Sequence, residues 1–159
     1  MTYQPPPPGM PVPPQPPAVP AGYYFDPGTG LTLPNGTELA PVGRRIGAFF
    51  LAIPLSIVTL GIGYIIWGAI LWGDGTSPAL KLLGMKVYRP QEGRPATWGH
   101  MALRNIVGGI VQSICSLLTE LASLIMFLTD DQHRTIPDRI GTTVVIYDPN
   151  KVLDPPKAA

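Results

Sequence analysis

The stretch that decides the fold is IGAFFLAIPLSIVTLGIGYIIWGAILW, residues 46–72, which contains no charged residue. A second apolar stretch, residues 105–129, carries a single charge on Glu120. About 20 predominantly apolar residues are enough to cross the hydrocarbon core of a bilayer, and both stretches reach that length. A helix packed on the core of a water-soluble domain would show a polar stripe, which neither stretch has. The sequence therefore predicts an integral membrane protein whose partner is the lipid bilayer.

The composition supports this interpretation. Charged residues make up 13% of the chain, against about 25% in an average soluble domain. The net charge of +1 gives no indication of a nucleic-acid partner. The single cysteine, Cys115, excludes an internal disulfide and is expected to act as a small apolar side chain. No basic residue and no apolar run occurs before Arg44, so we expect no cleaved signal peptide.

The chain divides into three parts. Residues 1–41 are predicted to be a proline-rich, largely disordered tail, residues 42–147 a transmembrane domain, and residues 148–159 a polar C-terminal tail. Ten of the first 20 residues are proline, which favours extended polyproline II structure. Several P-x-x-P registers fit a polyproline-binding partner for residues 1–20. A solvated spacer explains the same composition.

The first apolar stretch is either one long helix or two short ones. Every polar segment that borders an apolar stretch carries Lys or Arg, and basic segments stay on the cytoplasmic side. Two crossings per stretch would keep all of them on that side. Gly61 and Gly63 supply the permissive backbone that a reversal needs. The resulting half-stretches of about 15 and 12 residues rise only ~22 and ~18 Å, so they would thin the bilayer or dip into it without crossing.

The second stretch leaves two alternatives open. Residues 116–120 are its most polar part and suit the wet apex of a hairpin. On a continuous helix, Gln112, Ser116 and Glu120 would instead share one intramembrane polar face. Residues 85–88 and 142–147 alternate as strand residues do, and we expect two strands there. The predicted fold class is an all-α membrane protein of short transmembrane helical hairpins, with a small cytoplasmic two-stranded β-ribbon.

Three stretches in this order resemble the RDD family of small bacterial membrane proteins. They are RRIGA at 44–48, GTSPALKLLGMKV at 75–87 followed by LRN at 103–105, and DRIGTTVV at 138–145. Their joint order is more specific than any one of them. A proline-rich tail ahead of such a domain is similar to the mycobacterial proline-rich antigen type of this family.

The resemblance assigns the family motif to six positions: Arg45, Ser77, Gly84, Arg104, Asp138 and Thr143. The family's first aspartate, expected inside the first membrane helix, falls at Ala52 here. Its Gly-Lys pair falls at Ala79-Leu80, and a histidine common before the last aspartate is Pro137. We expect Arg45 to pair with Asp138, with Arg104 as the alternative partner.

The resemblance implies a multi-pass protein of the bacterial inner membrane with cytoplasmic termini. For its function we expect a non-enzymatic accessory or scaffold component, present as a homo-oligomer or within a larger membrane complex. The alternative is a small-solute or ion transporter that uses Glu120 at membrane depth. No catalytic residue, cofactor or metal site is expected, because His100 and His133 lack ligands at metal-site spacing.

Overall fold

The computed structural model describes residues 19–114 and 116–154. Almost all of the proline-rich segment predicted over residues 1–20 lies outside the described residues, and so does Cys115.

Two antiparallel sheets form the polar part of the described chain. A hairpin joins β1 (Tyr23–Asp26) to β2 (Leu31–Pro34). The second sheet has the strand order β3-β6-β4-β5, built from β3 (Glu38–Leu39), β4 (Met85–Arg89), β5 (Arg94–Pro95) and β6 (Val144–Tyr147). In its centre Val87 on β4 lies opposite Val145 on β6. These two strands are the ones predicted to pair, and their pairing is confirmed.

The helices fall into the two apolar stretches and the segments that flank them. Shorter turns are a 3₁₀ segment at Trp72–Asp74 and a π-helical segment at Leu103–Val107. The α-helices are α1 (Val42–Val58), α2 (Ile62–Leu71), α3 (Pro78–Leu82), α4 (Trp98–Ala102), α5 (Gly108–Ile114), α6 (Ser116–Thr129) and α7 (Ile136–Ile140).

The first apolar stretch forms two helices, and the chain reverses between them. Leu60 and Gly61 have φ angles of 54° and 69°. Two successive residues in the left-handed region end a right-handed helix, and glycine adopts that region without strain. The reversal therefore lies at the first of the two predicted glycines.

The second stretch also folds back on itself. The Arg45 guanidinium lies 5.0 Å from the centre of the Phe127 ring and also binds Asp138, which in turn binds Arg104. Arg104 and Phe127 are 23 residues apart in sequence, and a straight helix of that length would rise about 35 Å. The chain between Arg104 and Phe127 is therefore not one straight helix, and α5 and α6 are separate helices. Residues 116–120, the predicted apex, are already helical as the first turn of α6.

The buried core lies at the polar end of the molecule, between the sheets and the helix bases. One cluster combines strand residues such as Met85 and Val87 with Ala48 of α1 and Met101 of α4. A second cluster packs Leu33 of the small hairpin against Tyr88, Val144 and Ile146 of the larger sheet. The helices are thus anchored to the sheets at their bases.

The fold class predicted from the sequence is wrong in two respects. The chain is not all-α, because six strands form two sheets in the described residues and the expected two-stranded ribbon is part of a four-stranded sheet. The prediction of transmembrane hairpins also fails. Within residues 19–114 and 116–154, every helix is too short or too polar to cross a membrane. The turn within 46–72 was predicted, but the helices on either side of it, α1 with 17 residues and α2 with 10, are shorter than the ~20 residues that a crossing needs.

Candidate functional site: a buried carboxylate between two arginines

Asp138 is the centre of a polar cluster and is fully buried. It occupies the first turn of α7, where its Oδ2 accepts hydrogen bonds from the backbone N–H of Thr135 at 3.1 Å and from the Thr135 hydroxyl at 2.9 Å. A carboxylate in this position satisfies an otherwise unpaired donor at the start of the helix. The helix start therefore fixes the direction in which the carboxylate points.

Two arginines bind this carboxylate from different elements. Arg45 of α1 donates from Nη2 to Oδ2, and Arg104 of the π-helical segment donates from Nε to Oδ1 at 2.7 Å. The ion pair predicted between Arg45 and Asp138 is present. Arg104, expected as an alternative partner, binds at the same time. The Asp138 cluster, meaning Asp138 with Arg45, Arg104 and Thr135, thus joins three helical segments.

Burial alone would raise the pKa of Asp138, because a buried charge loses its hydration. The charges of Arg104 and Arg45 and the hydrogen bonds that they donate outweigh this effect, and they hold the pKa of Asp138 well below its usual range. The carboxylate therefore stays ionised at every physiological pH. A group that does not exchange its proton near neutral pH is unsuited to general acid–base work.

Arg45 extends the cluster to the end of α6. Its Nη1 donates to the carbonyl oxygen of His133, and its guanidinium lies over the Phe127 ring. His133 itself has a φ of 49°, which is uncommon for a residue other than glycine. The arginine thus holds together the start of α1, the loop after α6 and the start of α7.

Close packing fixes the position of α7 against the Arg104 segment. A Cβ atom placed on Gly108 would lie 2.7 Å from the Pro137 Cβ, and one on Gly141 would lie 3.2 Å from the Arg104 Cβ. Pro137 stands where the family often has histidine. Here it supplies an apolar surface against the helix base.

The remaining family-motif residues have structural positions. Thr143 donates from its hydroxyl to the Asp138 carbonyl oxygen at 3.3 Å and borders the cluster. Ser77 precedes α3, with Pro78 in the first turn, and Gly84 follows α3 with a φ of 69°. A Cβ on Gly84 would approach the Tyr147 ring to 3.3 Å. Ser77 lies before α3 and Gly84 lies after it, and neither residue takes part in the hydrogen bonds to Asp138.

A second charged cluster was not predicted as such. Asp130, at the end of α6, accepts hydrogen bonds from Arg134 Nε and Nη2 and from Arg139 Nη2, each at 3.0 Å. The hydrogen bonds from Arg134 lower the pKa of Asp130 to about 2. The spacing of four residues between Asp130 and Arg134 was the available signal. Among the described residues, no group of three or more His, Cys, Asp or Glu side chains could hold a metal ion.

The predicted polar face falls on residues whose side chains the structure leaves undescribed. The side chains of Gln112, Ser116 and Glu120 lie outside the described part of the chain, although their backbones belong to α5 and α6. The prediction that they form an intramembrane site stays a prediction.

Apolar side chains dominate the exposed surface of both folded-back helix pairs. On α1 and α2, Phe49 and Phe50 are exposed, and Leu60 in the turn is 87% exposed. On α6, Leu121 and Leu128 are exposed as well. At the helix bases the rings of Trp72 and Trp98 are 5.7 Å apart. Exposed apolar surface of this extent marks a contact with another apolar phase or another molecule.

The RDD family matches residues 42–142. No curated protein and no solved structure gives a significant match, and the resemblance of the proline-rich tail to the mycobacterial antigen type is not shown. The family match, which covers more than half of the chain, includes Arg45, Arg104 and Asp138. It indicates a membrane protein, and the chain belongs to the RDD family.

Proposed function

We propose that this protein is a membrane-associated, non-enzymatic accessory or scaffold component, and that it acts as a homo-oligomer or within a larger membrane complex. In this proposal the exposed apolar helices contact lipid acyl chains, and the sheets remain at the polar side. The Asp138 cluster connects the two parts. The observation that carries the proposal is the location of this cluster, which joins the bases of both folded-back helix pairs to the sheet side of the molecule.

The apolar surface supports contact with lipid. Removing apolar surface from water gains about 25 cal/mol per Å², and the exposed Phe, Ile and Leu side chains of α1, α2 and α6 offer a large area. The aromatic pair Trp72 and Trp98 lies at the helix bases, where amphipathic rings suit the headgroup level. These features favour insertion of the helix pairs from one face of the bilayer.

The basic side chains support a cytoplasmic location for the polar part. Arg45 and Arg104 meet at one carboxylate, so the starts of both apolar stretches lie on the same face. Arg44 also lies there, with its guanidinium 3.7 Å from the centre of the Tyr147 ring and a hydrogen bond to the Leu83 carbonyl oxygen. Lys and Arg flanking apolar segments are retained on the cytoplasmic side.

The state of Asp138 favours a scaffold over a transporter. A proton or cation carrier needs a group that binds and releases its cargo at working pH. Both oxygens of Asp138 are occupied by arginine and threonine donors, and its pKa lies well below neutral pH. Position 52, where the family has its first aspartate, is an alanine that packs against the core.

The membrane part of the proposal is tested by flotation of the full chain with lipid after a carbonate wash. We expect the wild-type chain to float and Ile57→Lys to float poorly, because a charge within the apolar surface opposes insertion. Val152→Lys, which changes an exposed apolar residue near the C-terminus, is the matched control and should float as the wild type does. A wild-type chain that remains in the aqueous fraction would rule out lipid contact.

The scaffold part is tested by native mass spectrometry in mild detergent, combined with ion flux into vesicles. We expect a homo-oligomer or a stoichiometric partner, and the same low flux for the wild type and Glu120→Gln. A monomer without a partner would contradict the scaffold. Flux that disappears in Glu120→Gln, with expression unchanged, would establish the transporter instead.

A further inference from the structure

A groove lies on the sheet side of the molecule and is separate from the Asp138 carboxylate. Its volume is about 410 Å³. The walls come from the turn after β4, the loop between α6 and α7, and the start of β6, with Leu31 of the small hairpin at one edge. Pockets that hold small molecules have volumes of roughly 300–1,000 Å³, so the groove is large enough for one.

The charged side chains that line the groove are Arg134 and Arg139. Both donate to the same carboxylate, Asp130, which itself is not part of the wall. One negative charge thus faces two positive charges, and one positive charge is left over. No carboxylate lines the groove in the described part of the chain. The groove therefore has a positive potential.

The donors are not used up by Asp130. Arg134 uses Nε and Nη2, and Arg139 uses Nη2 alone, whereas a guanidinium carries five N–H bonds. Gln91 also lines the groove, and its side chain is exposed. These groups leave several N–H donors free to bind one ligand.

The wall contains one further feature typical of binding sites. Thr142 has a φ of 51°, a strained conformation for a β-branched residue, and such strain is concentrated at functional sites. Its hydroxyl accepts a hydrogen bond from Arg89 Nη2 at 3.1 Å, and the buried Nε of this arginine has no hydrogen-bond partner among the described residues. The charge of this arginine is balanced by an ion pair with Glu92, so Arg89 contributes a hydrogen bond to Thr142 and no unpaired charge to the groove.

We propose that this groove binds a phosphate group, held by the free N–H donors of Arg134 and Arg139. A guanidinium fork matches two oxygens of a phosphate, and a phosphate can accept from both forks at once. The phosphate belongs either to a soluble phosphate compound or to an anionic lipid headgroup. The inference goes beyond the scaffold proposal and does not depend on it, because no residue of the exposed apolar helices lines the groove.

Calorimetry of the full chain in a zwitterionic detergent, titrated with inorganic phosphate, tests the proposal. We expect saturable binding by the wild type and about tenfold weaker binding by Arg139→Gln, which corresponds to the loss of one charge-assisted contact. Arg139→Lys keeps the charge and should weaken binding less. Lys81→Gln removes an equal charge from an exposed residue that does not line the groove, and it should bind as the wild type does. Unfolding temperatures establish that each variant is folded.

Vesicles distinguish the two sources of phosphate. If phosphatidylglycerol in phosphatidylcholine vesicles displaces inorganic phosphate from the wild type, and pure phosphatidylcholine does not, the site binds a lipid headgroup. If neither displaces it, the site binds a soluble phosphate compound. Absence of phosphate binding overturns the proposal, and so does equal binding by the wild type and Arg139→Gln. Equal loss in Arg139→Gln and Lys81→Gln would also overturn it, since the attraction would then be nonspecific.

Discussion

Arg45 and Arg104 bind opposite oxygens of one carboxylate, Asp138, although 59 residues separate them in the sequence. Arg45 begins the first apolar stretch, and Arg104 precedes the second. Their common partner lies beyond both stretches, in α7. One buried side chain therefore sets the position of both folded-back helix pairs relative to the sheets.

Asp138→Asn is expected to destabilise the fold strongly. Removing one partner of a buried ion pair costs about 3–5 kcal/mol, because the other charge stays buried and unpaired. Here two guanidinium groups would lose their partner. Asp74→Asn is the control, since Asp74 lies in an exposed pair 3.6 Å from Lys81 and such pairs contribute about 0–1 kcal/mol. Denaturant unfolding in detergent measures both variants, and equal losses would contradict a stabilising role for the Asp138 cluster.

Acid is expected to destabilise the protein because it protonates the carboxylates of Asp138 and Asp130. The pKa values of Asp138 and Asp130 are lower in the folded state than in the unfolded chain, so the unfolded state binds more protons as the pH falls. Their contribution is complete above the unfolded pKa of about 3.9. It is lost as the pH falls through the folded pKa, which for Asp130 is about 2.

Unfolding curves between neutral pH and strong acid test this expectation. Stability should be constant near neutrality with respect to these two groups and should fall below about pH 4. Asp130→Asn should show a smaller fall, because the contribution of its carboxylate is already absent. If Asp130→Asn loses as much stability in acid as the wild type, the Asp130 carboxylate does not contribute to the loss of stability in acid.

Replacing each of two adjacent glycines of α5 by alanine should have different effects on the stability of the protein. A Cβ on Gly108 would meet the Pro137 Cβ at 2.7 Å, whereas one on Gly109 has no atom within 4 Å. Gly108→Ala should force α7 away and cost about 1–3 kcal/mol. Gly109→Ala should be neutral or stabilise the helix by up to about 1 kcal/mol. Thermal unfolding compares the two, and an equal effect of both would exclude close packing between Gly108 and Pro137.

The sequence predicts local features of the fold well. The reversal within 46–72 follows from glycine in an apolar run. Pro78 in the first turn of α3 and Gly84 after its end are residues typical of a helix start and a helix end. The strand pairing of 85–88 with 142–147 follows from alternation. The family motif includes Arg45 and Asp138, two residues of opposite charge that flank the apolar stretches. The ion pair between them was predicted for this reason.

The features that the sequence does not predict depend on distant contacts. The two-residue strands β3 and β5 are too short for an alternating pattern, and they form only because β6 and β4 offer free edges. The prediction of the fold class was wrong for a related reason. Hydropathy and the glycines indicate an apolar stretch with a turn, but they do not show whether the helix on each side of the turn is long enough to cross a bilayer. The Asp130 cluster was missed because Arg139 reaches it from α7, nine residues away.

The C-terminal turn at residues 151–154 is held by Asp148, and its release should be visible by proteolysis. The buried Asp148 carboxylate accepts hydrogen bonds from the backbone N–H of Val152 at 2.8 Å and of Leu153 at 3.0 Å. Lys86 adds a hydrogen bond to the Leu153 carbonyl oxygen and an ion pair with Asp154. Asp148→Ala should therefore raise trypsin cleavage after Lys151 by about thirtyfold, because it removes two hydrogen bonds of about 1 kcal/mol each and every 1.4 kcal/mol is tenfold. Asp154→Asn should raise it less, since that carboxylate is partly exposed, and Asp131→Asn in a distant exposed turn should leave the rate unchanged. Equal rates in the wild type and Asp148→Ala would show that the turn does not depend on this carboxylate.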